Sequence, residues 1–205
     1  QSRDHKPMDD ELLVRTIEAR CEALRQKGKL VALDDLHATP PPATTTLALS
    51  TLREGPRDAA DLYAMAQAST VLVGVYYQCS ECSHWHFDAA SGFALSAEGA
   101  VTTCWHVFEK DPERRDTYCV IADYDGDVWP IRSVLAANAQ TDVCIVGTDA
   151  RGLSPMPLRT GARVGEHVWC LSNPDHRFAF FSAGRIARWF VNRPVLGEAT
   201  DQPTK

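Results

Sequence analysis

The chain has 205 residues, of which 44% are hydrophobic and 23% are charged, and its formal net charge is −6. These proportions are those of a globular protein and exclude a fibrous or wholly disordered chain. Lys and Arg form no basic stripe, so nucleic acid is not an expected partner. No apolar run approaches the ~20 residues of a membrane span, and we expect none.

The N-terminus and the cysteines bear on the compartment. The sequence begins at Gln1 rather than at Met, as it would after removal of a signal peptide. This favours an exported protein, periplasmic or in the cell envelope, over a cytoplasmic one. Seven cysteines are present and only Cys79 and Cys82 are closely spaced, which does not fit the disulfide framework of a small secreted protein.

The first 37 residues predict an amphipathic helix. Apolar residues recur near a 3.6-residue period between Met8 and Lys29, and acidic residues stand at its start. Its apolar stripe must dock on the main domain or on another chain, and the second alternative suggests a regulatory element. Residues 38–55 follow as a Pro/Thr-rich linker, in which three consecutive prolines favour extended backbone.

The rest of the chain is predicted to be mainly β, after a short helix at 56–68. Short β-type runs are separated by Gly, Asp, Asn and Pro about every ten residues, which is typical of a sandwich or barrel. The predicted strands are 70–77, 91–96, 100–103, 118–122, 128–134, 143–148, 167–172 and 178–191.

His106 is the first candidate for chemistry, since it ends the β-rich run VTTCWH. A histidine that activates a hydroxyl needs a carboxylate at its other ring nitrogen, because the carboxylate fixes the tautomer and stabilises the imidazolium. Asp142 is the best candidate for that acid, as it opens the strand-like segment TDVCIVGTD. The pairing is a hypothesis that needs support from the surrounding segments.

Five segments in unbroken order, between Ser69 and Trp189, provide that support: SGFALSAEGAVTTCWHV, ADYDGDVWPIRSVLAAN, TDVCIVGTD, MPLRTGARVGEHVWCLSNP and FFSAGRIARW. Their order and residue patterns resemble those of the trypsin-like (chymotrypsin-fold) serine peptidases, in particular the HtrA-like bacterial branch. In that family the corresponding segments carry Thr-x-x-His-Val, Thr-Asp-Leu-Ala-Val-Leu and Gly-Asn-Pro. Ser172 stands here in place of the usual glycine of the last motif.

The resemblance implies a chymotrypsin-like double β-barrel with an N-terminal helical appendage. Residues 56–150 would hold the short helix and the first barrel, and residues 151–205 the start of the second. His106 and Asp142 would be the catalytic base and the orienting acid of a Ser-His-Asp triad. The substrate would be a polypeptide, cleaved by a serine endopeptidase that requires no cofactor.

The nucleophile motif of the family, Gly-Asn-Ser-Gly-Gly or a variant, has no match. Neither Ser172 nor Ser182 has flanking glycines that would form an oxyanion hole. We therefore expect the serine beyond the end of this sequence, on a complementing C-terminal segment, so that the chain alone would be an inactive fragment. Two alternatives stay open: a non-catalytic pseudopeptidase that binds peptides by strand addition, and a likeness of architecture only.

The segment YQCSECSHWHF, residues 77–87, suggests a separate metal site. Two thiolates at C-x-x-C spacing can hold one Zn²⁺, and His84 or His86 can add nitrogen; we expect Cys79, Cys82 and His86 as structural zinc ligands. A local disulfide or two free thiols are the alternatives. Cys104 and Cys144 are expected to be small buried hydrophobic residues in adjacent strands.

Overall fold

The computed structural model describes residues 7–50, 55 and 58–190. Its helices are α1 (Asp10–Gln26), α2 (Leu33–Leu36) and α3 (Ala59–Ser69). Asp9 caps α1 by accepting a hydrogen bond from Leu12 N at 3.0 Å, and Asp58 caps α3 by accepting one from Asp61 N at 2.8 Å. No helix of the described residues is both long and apolar enough to cross a membrane. Parts of the predicted linker and short helix, residues 51–54, 56 and 57, lie outside the described residues.

The described part of the chain contains eight strands: β1 (Thr70–Cys79), β2 (Trp85–Ala94), β3 (Ala100–Thr103), β4 (Arg114–Ala122), β5 (Val128–Asn138), β6 (Val143–Thr148), β7 (His167–Ser172) and β8 (Phe180–Arg185). The first six close an antiparallel barrel in the order β1-β2-β3-β6-β5-β4. The remaining two pair with each other as a separate two-stranded sheet. The expected mainly β fold with a complete first barrel is confirmed, and within the described residues the second barrel is incomplete, with two strands.

Five of the eight predicted strands have different bounds: β1 extends to Cys79, β4 begins earlier at Arg114, β5 extends to Asn138, and the second and last strands differ most. The second begins at Trp85 rather than Ser91, because the segment after the cysteine pair runs along β1 as far as Gln78↔Trp85. The last covers Phe180–Arg185 and not 178–191. Ala179 has a φ of 55° and Phe178 is buried beside α1, so the chain turns before the strand starts. Val191 lies outside the described residues.

Helix α1 packs on the barrel of its own chain. Its buried residues Leu13, Ile17 and Cys21 form one apolar cluster with barrel residues that include Leu72 and Phe87. At the other end of the helix, Tyr76 Oη donates to Glu22 Oε2 at 3.0 Å. Of the two docking partners expected for this helix, the structure therefore shows the main domain. The prolines beyond it also contact the barrel, as Ala137 N donates to Pro42 O at 3.0 Å.

The barrel interior forms the second cluster, which centres on fully buried side chains such as Val73, Val101, Ile121, Ile131 and Val146. Glycines allow neighbouring strands to approach closely. A Cβ on Gly92 would lie 2.5 Å from Val73 Cγ2 and 2.8 Å from Thr102 O. The β7–β8 sheet differs from the barrel in exposing apolar side chains, among them Trp169 and Phe180.

Candidate active site

Barrel topology brings His106 and Asp142 together. Strand β3 ends at Thr103 and is followed by a 3-10 helix, Trp105–Phe108, which carries His106. Strand β6 begins at Val143, directly after Asp142, and pairs antiparallel with β3 through Thr103↔Cys144. The end of one strand and the start of the other thus meet at one end of the barrel. The two residues predicted as base and acid are adjacent.

Asp142 holds His106 through both of its carboxylate oxygens. His106 Nδ1 lies 2.7 Å from Asp142 Oδ2, and the backbone N–H of His106 donates to Oδ1 at 2.9 Å. Trp105 N donates to the backbone carbonyl of Asp142 at 3.3 Å. Asp142 itself has a φ of 54°, a left-handed conformation that is uncommon for residues other than glycine and clusters at functional sites. These contacts fix the ring orientation.

The electrostatics favour an ionised acid and a defined histidine tautomer. The backbone N–H and then the ring of His106 lower the pKa of Asp142. An ionised carboxylate only accepts hydrogen bonds, so Nδ1 of His106 carries a proton and Nε2 is the nitrogen that can accept one. The two side chains are 61% and 43% exposed, so the pair is open to solvent and to an incoming group.

Cys104 lies beside this pair without acting on the histidine. Sulfur and ligand atoms of Cys104, His106 and Asp142 all lie within 4.8 Å of one another. Burial, and then the charge and hydrogen bond of Asp142, raise the pKa of the Cys104 thiol, which argues against a thiolate nucleophile. The expectation for Cys104 was wrong in detail: it is partly exposed and follows β3, whereas Cys144 is buried within β6.

None of the described serines hydrogen-bonds to His106. Ser172 ends β7 and pairs with Phe180, while Ser182 lies within β8 opposite Cys170. Ser91 accepts a hydrogen bond from Asn173 Nδ2 at 3.0 Å. A cavity of about 260 Å³ lies beside Asp142 and is lined by residues of the barrel and of β7, among them Thr103, Val143 and Leu171.

Asn173 is a buried residue that links the two sheets, a role that sequence reasoning missed. It is 7% exposed, and its Oδ1 accepts hydrogen bonds from Tyr124 Oη and Ala179 N, both at 2.9 Å. Together with the bond to Ser91, it links β2, the β4–β5 turn and the β7–β8 connection. The signal was present, because Asn173 and Ser91 both lie in the family-like motifs, but the contact between the motifs required the fold.

The residues proposed as metal ligands also converge. Donor atoms of Cys79, Cys82 and His86 lie within 4.8 Å of one another, and Cys82 Sγ lies 3.1 Å from His86 Nε2. The backbone N–H groups of Cys82 and Glu81 donate to the Cys79 sulfur and lower the pKa of its thiol. His84 has no ligand atom in this set.

Comparisons with known proteins identify a family and a similar fold. A trypsin-like peptidase domain profile matches residues 90–202, more than half of the chain. Among solved structures, the fold is similar to that of an HtrA-type protease, AlgW with a decapeptide, with a TM-score of 0.51 and 20% identity. The match covers 66% of this chain and 47% of that one, so the chain spans less than half of that protease.

A search of curated proteins finds no match. The family profile nevertheless spans the barrel strand that leads to His106 as well as Asp142. The resemblance to trypsin-like serine peptidases is confirmed, and the likeness to HtrA-type proteases holds at the level of the fold. The chain belongs to the family of trypsin-like peptidase domains.

Proposed function

We propose that this chain supplies the base and the orienting acid of a serine endopeptidase. The observation that carries the proposal is the double hydrogen bond from His106 to Asp142, through Nδ1 at 2.7 Å and the backbone N–H at 2.9 Å. A buried or surface structural histidine has no need of this arrangement, whereas a general base requires a fixed tautomer with its other nitrogen available. The serine nucleophile would come from a segment outside this sequence.

The reaction would then proceed by acyl transfer. His106 Nε2 takes the proton of the serine hydroxyl while the serine oxygen attacks the peptide carbonyl carbon, and Asp142 stabilises the imidazolium that forms. The imidazolium returns the proton to the amine nitrogen as the C–N bond breaks, which leaves an acyl-enzyme. Water then attacks the acyl carbonyl carbon while His106 Nε2 takes its proton, and the imidazolium returns that proton to the serine oxygen as the ester bond breaks, which releases the carboxylic acid and restores the serine. No cofactor takes part in these steps.

A polypeptide substrate is supported by two observations. The similar HtrA-type protease was solved with a decapeptide. In this chain, the open His106–Asp142 pair lies beside the cavity that the barrel shares with Leu171 of β7, where an extended peptide can reach the pair. The exposed apolar side chains of the second sheet, Trp169 and Phe180, fit a surface that a complementing segment covers.

Labelling with a fluorophosphonate probe tests the proposal on the complete protein. We expect one serine to be labelled, and we expect His106→Ala to abolish labelling. His84→Ala is the matched control, because it removes an exposed histidine that is not part of the pair. A folded complete protein that binds peptides but resists the probe would contradict catalysis and favour the pseudopeptidase alternative.

A further inference from the structure

The turn between β1 and β2 brings two cysteines and a histidine together, and the proposed peptidase chemistry uses none of them. We propose that Cys79, Cys82 and His86 bind one Zn²⁺ ion, with water in the fourth position. The inference is independent of the proposed function, because none of these residues contacts His106 or Asp142 in the described structure. It concerns a metal site built on the C-x-x-C turn.

The backbone of the turn is already arranged around the Cys79 sulfur. Cys79 N donates to His84 O at 2.9 Å, and Ser83 N donates to Cys79 O at 3.1 Å, which closes the loop. Ser83 adopts a φ of 58°, which lets the chain reverse directly after Cys82. The N–H groups of Cys82 and Glu81 point at the Cys79 sulfur. Such donors stabilise a metal-bound thiolate, since they compensate its negative charge.

The donor spacing fits zinc. Zinc binds sulfur at about 2.3 Å and imidazole nitrogen at about 2.0 Å, so tetrahedral geometry separates two such donors by about 3.6 Å. Cys82 Sγ and His86 Nε2 are 3.1 Å apart, and all three donor atoms lie within 4.8 Å of one another. To hold one ion, Cys82 Sγ and His86 Nε2 would move apart by about 0.5 Å. Thiolate and imidazole together favour zinc over the hard cations, which prefer oxygen.

Neighbouring contacts hold the histidine and leave one side open. The ring of His86 lies 5.8 Å from the ring of Tyr77, centroid to centroid, on the adjacent strand, and Tyr77 is in turn covered by Arg114. Among the described residues, no further His, Cys, Asp or Glu belongs to the three-donor group. Cys82 is exposed. The fourth position therefore faces solvent, and water is its expected ligand.

The site has a structural consequence for the segment that follows His106. Ser80 N donates to Glu113 O at 3.0 Å, and Arg114 forms ion pairs with Asp111 and Asp88. A metal that rigidifies residues 79–86 thus holds the start of β4, and with it the connection from His106 into the barrel. Loss of the metal should lower the stability of the fold before it affects His106 and Asp142, because the ion ties a turn to a strand and does not contact the catalytic pair.

Metal analysis of the purified chain tests the site. We expect the wild-type protein, after incubation with zinc and desalting, to retain one Zn²⁺ per chain by mass spectrometry. Cys79→Ser, Cys82→Ser and His86→Ala should each retain only background zinc. Two matched controls, His84→Ala in the same turn and the exposed Cys170→Ser, should retain the wild-type amount. Circular dichroism establishes that each variant is folded.

A second measurement uses only the wild-type protein and Cys79→Ser. Removing zinc with a chelator should lower the wild-type melting temperature and leave that of Cys79→Ser unchanged. Zinc-free wild-type protein in which peptide mapping finds a Cys79–Cys82 disulfide would overturn the proposal. Equal loss of zinc in His84→Ala and His86→Ala would overturn the ligand assignment. Neither result would bear on the fluorophosphonate test.

Discussion

Asn173 joins the second sheet to the first barrel, because its Nδ2 donates to Ser91 Oγ at 3.0 Å across 82 positions of sequence. Its Oδ1 meanwhile accepts from both Tyr124 Oη and Ala179 N. Ser91 begins the motif that leads to His106, and Asn173 ends the motif that leads out of β7. The buried Asn173 amide therefore fixes how the β7–β8 sheet meets the barrel strands beside the cavity at Asp142.

Replacing this amide should destabilise the fold. Asn173→Ala leaves the donors Tyr124 Oη and Ala179 N without their acceptor, and a buried unsatisfied polar group costs about 1–3 kcal/mol. We expect the free energy of unfolding to fall by about 1–3 kcal/mol in urea titrations, since two part-buried donors are affected. Ser182→Ala, on the exposed part of β8, is the control and should change it by less than about 0.5 kcal/mol. A neutral Asn173→Ala would contradict the joining role.

Asp142→Asn tests the orienting role directly. An amide keeps the shape of the carboxylate but can present an N–H to His106 Nδ1, which favours the wrong tautomer and removes the charge that stabilises the imidazolium. We expect the rate of fluorophosphonate labelling of the complete protein to fall by about 10⁴-fold, with little change in stability. Asp116→Asn, a remote aspartate that also has a positive φ, is the control. Labelling at the wild-type rate in Asp142→Asn would contradict the assigned role.

The sequence predicted the strands that lead to the site more accurately than their surroundings. Strands 100–103, 143–148 and 167–172 have the expected bounds, because short β-type runs there are flanked by turn residues such as Gly99, Asp149 and Asn173. The pairing of His106 with Asp142 needed the family resemblance, since residues 36 positions apart meet only through strand order. The sharp turn at Ala179 and the role of Asn173 depend on long-range packing that no local pattern records.

Gly92 should not tolerate a side chain, because it lies where β2 packs closely against β1 and β3. A Cβ at this position would meet Val73 Cγ2 at 2.5 Å and the backbone Thr102 O at 2.8 Å, and the backbone cannot yield without shifting the strand that leads to His106. We expect Gly92→Ala to lower the free energy of unfolding by about 1–3 kcal/mol and to slow labelling of the complete protein. Gly184→Ala, where a Cβ meets nothing within 4 Å, is the matched control. Equal stability of the two variants would contradict the predicted clash.

Glu22 should make stability depend on acid pH. The side chain of Arg25, followed by those of Gln26 and Tyr76, lowers the pKa of Glu22 to about 2, below the ordinary value of about 4.3. Because the folded-state pKa is the lower one, the unfolded chain binds more protons between these values, and stability rises with pH there. The contribution is fully present above about pH 5 and is lost as pH falls through about 2.

Urea titrations across this pH range measure the effect. Glu22→Gln should lower the free energy of unfolding near neutral pH by about 2 kcal/mol, the size of a hydrogen bond to a charged group, and should flatten its dependence on pH between about 5 and 2. Glu11→Gln, on the exposed face of the same helix, should keep the wild-type slope. An unchanged slope in Glu22→Gln would show that its ionisation is not coupled to folding.

Helix α1 should be part of the cooperative fold, although its sequence suggested an appendage. Ile17 is 0% exposed and packs in one cluster with Leu72 and Phe87 of the barrel, so Ile17→Ala leaves a cavity between helix and sheet. We expect it to lower the free energy of unfolding by about 2–5 kcal/mol, in a single transition. Leu12→Ala changes a residue of the same helix that is 58% exposed, and should cost less than about 0.5 kcal/mol. If Ile17→Ala instead unfolded the helix alone, with the barrel transition unchanged, the helix would be a separate unit, free to exchange its partner for another chain.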